Sequence, residues 1–128
     1  MLLHRLFQYL AAEVKRVWNT LWWSLEGLAV AWREEKSFRQ WSYVNLINWA
    51  LLYYCAPPLP AVLLLLTLGI LVLIVELLNS AIEATVDYIS EERHPMAKKA
   101  KDIASAAVFL SALVWGAAWL ITAYYLYV

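Results

Sequence analysis

A chain of 128 residues is the size of one domain. Its composition, 64% hydrophobic and 16% charged, is more apolar than a small water-soluble fold can bury, since soluble domains run at roughly half apolar and about a quarter charged. A formal net charge of zero argues against a nucleic-acid partner, and the expected class is an all-α membrane protein.

The first segment, residues 1–29, alternates at helical spacing. Leu3, Leu6, Phe7, Leu10, Val14, Val17, Trp18, Leu21 and Leu25 recur on one face, with Arg5, Gln8, Glu13, Arg16, Asn19, Thr20 and Glu26 mostly between them. This pattern predicts an amphipathic helix lying in the plane of a membrane surface. Trp18, Trp22, Trp23 and Trp32 suit that depth, because indole prefers the membrane–water boundary. The segment is not expected to act as a cleaved signal peptide. Charges interrupt it where an unbroken apolar core would be needed.

Residues 40–75 contain no Asp, Glu, Lys, Arg or His. The run is too long for one crossing, which takes about 20 residues, and it holds the helix-breaking sequence "APPLP". A helical hairpin is expected, with spans over about 30–55 and 61–90. The second uncharged stretch, 103–128, predicts a third span over about 95–128. Pro95 suits the first position of that helix, and His94 before it is pushed out of helical geometry. Cys55 is the only cysteine and reads as a small hydrophobe. Every Lys and Arg falls within 5–39 or 93–101. Three crossings put both regions on one side, which by the positive-inside rule is the cytoplasm.

"VELLNSAIEATVD", residues 75–87, ends the uncharged run. Glu76, Asn79, Ser80, Glu83 and Asp87 share one helical face. A helix emerging into water would account for Asp87 and passably for Glu83. It accounts poorly for Glu76, because an ionised group at mid-membrane costs about 3 kcal/mol or more and usually faces a bundle interior or wet cavity. Three helices offer little shelter for such a stripe, so a homo-oligomer is expected. The three glycines, Gly27, Gly69 and Gly116, form no phosphate loop or dinucleotide fingerprint. His4 and His94 lack metal-ligand spacing, and no Gly-x-Ser-x-Gly elbow occurs. Carboxylates suited to Mg2+ and lysines suited to phosphate remain, at a membrane surface.

"VELLNSAIEATVD" followed by "HPMAKKAKDIASAAV", with "GLAVAWREEKSFRQ" upstream, closely resembles the prokaryotic integral-membrane diacylglycerol kinase family. The family pattern Glu-x-x-Asn-Ser/Thr-Ala-Ile-Glu-x-x-x-Asp, then Ala-Lys-Asp, is met at the family's spacing. The resemblance covers about 16–113. It implies a surface helix plus three transmembrane helices in a homotrimeric bundle, in the bacterial cytoplasmic (inner) membrane. Active sites would be shared between subunits on the cytoplasmic side. The implied activity moves the γ-phosphoryl of MgATP to the hydroxyl of diacylglycerol, giving phosphatidic acid.

By the same resemblance, Glu76 is the catalytic base and Asn79 positions groups at the transferred phosphoryl. Glu35 and Glu83 hold Mg2+ with ATP. Arg16, Trp23, Glu92, Arg93, His94, Lys101 and Asp102 belong to the nucleotide site. Arg16, Phe38, Arg39, Gln40 and Ser105 fall on the lipid-substrate side. Arg16 and Arg39 could instead anchor to anionic headgroups. Lys98 and Lys99 read as solvated charges, and Asp87 as a helix-end charge. Trp23 replaces an aromatic hydroxyl of the family, and Trp41 stands where the diacylglycerol-specific branch commonly carries an acid. "EERHP" and "AKKAKD" resemble the branch that phosphorylates undecaprenol, the alternative acceptor. An alternative of another class is a non-catalytic oligomer whose acidic ring binds cations.

Overall fold

The computed structural model describes residues 2–89 and 92–128, with side chains from residue 5 onward. The ends expected at residues 1 and 90 therefore lie outside the described residues. Among those described there are four helices and no strand: α1 (Leu2–Glu34), α2 (Lys36–Cys55), α3 (Leu59–Ile89) and α4 (Pro95–Tyr127). They divide into two units, Met1–Glu34 and Glu35–Val128.

The first unit is α1 alone. Its apolar stripe, including Phe7, Leu10, Val14, Trp18, Leu21 and Trp22, stays exposed along the helix. Local bonds tie its polar side: Arg16 pairs with Glu13 at 2.5 Å, and Trp22 Nε1 donates to Glu26 Oε1 at 2.7 Å. The helix continues past the boundary expected at 29, because Leu28, Ala29, Val30 and Ala31 include no breaker. It stops at Glu35, whose backbone is extended (φ −95°, ψ 108°).

In the second unit α3 packs against both α2 and α4. α2 ends where Ala56 turns left-handed (φ 44°) and its N–H returns to Leu52 O at 3.1 Å. That conformation costs an L-residue about 1–2 kcal/mol. It is held by the cap bond and by Pro57, which disfavours continued helix at the residue before it. α3 begins at Leu59, two residues before the expected start, and takes Pro60 into its first turn. There a missing N–H costs nothing, since first-turn donors lack intrahelical acceptors anyway. His94 is extended (φ −119°, ψ 137°) and caps α4 with Nδ1 accepting from Met96 N at 3.2 Å, Pro95 following as the first helical residue.

α3 (31 residues, mean hydropathy 2.9) and α4 (33 residues, mean hydropathy 1.9) are long and apolar enough to cross a membrane. α2 falls outside that pair, its apolar run diluted by Gln40, Ser42, Asn45 and Asn48. Leu52, Leu65, Val72 and Trp115 form the core, with Trp41, Val62, Leu66, Leu68, Ala118 and Trp119 packed around it.

Candidate active site

The buried residues of α3 are Leu65, Gly69, Val72, Glu76 and Asn79. Their spacing of four, three, four, three is that of a coiled-coil seam. Glu76 and Asn79 thus do not sit on a separate polar face. They occupy the next core positions of the same packing stripe, and the stripe changes from apolar to polar without leaving the interface. Glu76 is 3% exposed. That burial is what the helix-emergence reading could not supply.

One turn on, Asn79 Nδ2 donates to Glu83 Oε1 at 3.2 Å. Donation through Nδ2 fixes the amide's orientation, and Asn79 Oδ1 is left buried with no hydrogen-bond partner among the described residues. The carboxylates of Glu83 and Glu35 act on Glu76 through space as like charges. Glu76, Asn79 and Glu83 thus follow one another along α3, and Glu35 stands at the start of α2. Carboxylates and an unpartnered amide oxygen are acceptors of the kind that suits a cation.

The donor chemistry fits a hard divalent ion such as Mg2+. Among the described residues no group of three or more His, Cys, Asp or Glu side chains could hold a metal unaided. Mg2+ commonly takes one or two carboxylates and completes its shell with water and substrate phosphates.

Where α3 ends and α4 begins, an open pocket of about 660 Å³ is lined by Asp87, Glu92, Arg93, His94, Lys98, Lys101 and Asp102, among others. It brings together five residues expected at a nucleotide: Glu92, Arg93, His94, Lys101 and Asp102. It also contains two that the sequence reads as surface charges. Asp87 accepts from Lys101 Nζ at 2.5 Å, and Lys98 forms an ion pair with Asp102. The Lys98–Asp102 pair has a sequence signal in its i,i+4 spacing. The Asp87–Lys101 pair has none, because it depends on how α4 folds back against α3.

The other expected residues are more dispersed. Arg16 and Trp23 are exposed on α1, in the first unit. Phe38 is buried, Arg39 half-buried and Gln40 exposed on α2, while Ser105 is exposed on α4. Asn45 and Asn48, passed over in the sequence as parts of an uncharged run, are buried at 2% and 3% exposure.

A family profile described as prokaryotic diacylglycerol kinase matches residues 22–123. The chain is similar to the diacylglycerol kinase of Pseudomonas aeruginosa, 42% identical over 106 residues that cover 83% of this chain and 86% of the relative. It is 41% identical over 109 residues to the diacylglycerol kinase of Helicobacter pylori, covering 85% of each. To that of Escherichia coli K12 it is 40% identical over 108 residues, covering 83% of this chain and 87% of the relative.

Proposed function

The chain belongs to the prokaryotic diacylglycerol kinase family, and from that premise we propose that it transfers the γ-phosphoryl of ATP to the free hydroxyl of diacylglycerol, yielding phosphatidic acid and ADP. The observation that carries the reading is the buried carboxylate of Glu76 on the same α3 stripe as Asn79 and Glu83. A lipid hydroxyl reaches a base only if that base sits at the depth of the lipid.

Glu76 accepts the hydroxyl proton as the oxygen attacks the γ-phosphorus and the bond to ADP breaks. Asn79 positions groups at the transferred phosphoryl and orients Glu83. Glu35 and Glu83 hold Mg2+, which when bound neutralises phosphate charge that would otherwise meet bare carboxylates. Lys101 and Arg93 supply positive charge to the phosphates, with Glu92, His94 and Asp102 completing the nucleotide pocket; Arg16 and Trp23 are assigned to the nucleotide by the family resemblance alone. Phe38, Arg39, Gln40 and Ser105 serve the lipid side.

In this reading α2, α3 and α4 all cross the bacterial inner membrane, α1 lies on its cytoplasmic surface, and three chains share sites between neighbours. The placement of every Lys and Arg within 5–39 or 93–101 supports this. Purified protein in mixed micelles, given ATP labelled at the γ-phosphate with diacylglycerol and undecaprenol in parallel, tests it. Label is expected in phosphatidic acid. Label passing only to undecaprenol would move the acceptor, and label in neither lipid would sink the kinase reading.

A further inference from the structure

Apart from the acidic cluster, a second set of polar groups is buried where α2, α3 and α4 meet. Asn45 Nδ2 donates to Trp41 O and to Gly69 O, both at 3.0 Å. Two carbonyl acceptors require the nitrogen there, so Oδ1 must point the other way. It packs beside the Gly69 Cα, where an added Cβ would lie 2.4 Å from Asn45 Oδ1 and 2.9 Å from Trp115 Cζ2. Asn48 is oriented just as firmly. Its Oδ1 accepts from Trp119 Nε1 at 2.8 Å, and an indole N–H can only donate. Asn48 Nδ2 is therefore the free end.

Among the described residues three buried atoms of this seam have no hydrogen-bond partner: Asn45 Oδ1, Asn48 Nδ2 and Trp115 Nε1. Buried polar atoms are rarely left so, and each needs a reason. The set consists of one acceptor and two donors. Flipping either amide would break bonds already made, so the three free valences keep these identities. Asn48 and Trp115, though not Asn45, line a hollow of about 290 Å³ between α2 and α4, ample for water, which needs roughly 10–15 Å³ of such space.

We propose that Asn45, Asn48 and Trp115 form a water-binding site within the packed core of α2, α3 and α4. Water fits because it alone both accepts and donates at this size. Its lone pairs take the Asn48 Nδ2 and Trp115 Nε1 protons, and its own protons have Asn45 Oδ1 as acceptor. A site with two to four polar partners holds a buried water stably. The walls are otherwise apolar, so the water bridges helices and does not open a channel. The inference is independent of the catalytic reading.

The test uses full-length protein labelled with 15N-tryptophan in deuterated micelles, with Trp115→Phe to assign the resonance. The Trp115 indole proton should give a magnetisation-transfer cross-peak to water, while the Trp119 indole proton, bonded to Asn48, should give none. Asn45→Val, which removes the acceptor, should abolish or strongly reduce the Trp115 cross-peak. A folded protein whose Trp115 indole shows no water cross-peak overturns the proposal, as does a transfer to a group on a neighbouring chain instead. Where Asn45→Val fails to fold, the unsubstituted protein decides alone.

Discussion

The two buried polar regions of the second unit handle burial in opposite ways. In the amide seam, neutral side chains reach across to another helix: Asn45 to the Gly69 carbonyl, Asn48 to the Trp119 indole. In the acidic cluster, Glu76 is buried at 3% exposure, with the Glu83 carboxylate two turns along the same helix. The first arrangement ties helices together. The second works against folding and is suited to something that arrives later, a cation or a proton. Polar residues in apolar helices are thus not one category. What separates them is whether the neighbouring groups complement them or repel them.

The comparison breaks most sharply at Glu76. Glu76→Gln should lower phosphoryl transfer by about a hundred-fold or more, the usual contribution of a general base, while thermal unfolding shows stability kept or raised. A variant that lost stability along with activity would make Glu76 structural and erase the contrast. Gly69→Ala should act in the reverse sense. Its methyl would press on Asn45 Oδ1 and Trp115 and destabilise by about 1–3 kcal/mol, as overpacking does, measured by denaturation in detergent.

Asn45→Val removes two bonds to carbonyls but leaves a similar volume. The expected cost is about 0.6 kcal/mol and below ~2 kcal/mol, the range for polar pairs between helices in membranes. A larger loss would show that the seam, rather than the apolar core, organises the bundle. Lys98→Ala should be smallest. Both members of its pair with Asp102 are well exposed, so stability should move by less than about 0.5 kcal/mol. A marked rise in KM for ATP in that variant would bring Lys98 into the nucleotide site.

The helices were legible because their stop signals are local. Prolines and charge-free runs marked the turn at Ala56 and the start of α4 at Pro95, and an unbroken run such as 28–31 simply carried α1 further than expected. Glu76, Asn79 and Glu83 were legible because a carboxylate after a long apolar run is conspicuous. That Glu76 lies on the packing seam was not, since the seam shows only when the buried residues of α3 are known. Asn45 and Asn48 escaped notice because amides carry no charge, and their partners, 24 and 71 residues away, exist only in the folded chain.

The turn at Ala56 has a consequence for the far end of α3. On the topology proposed above, the turn marks the outer face of the membrane, and α3 measures depth from it. At 1.5 Å per residue, about 20 residues from Leu59 exhaust a ~30 Å hydrocarbon layer, which places the exit near Asn79. Glu76 then falls one turn inside the apolar layer, and Glu83 one turn beyond it. The helix works as a gauge with its zero at the turn. Removing a single leucine between the turn and Glu76 would raise Glu76 by about 1.5 Å and swing it about 100° around the axis. Depth and direction would change together, and neither could be adjusted alone.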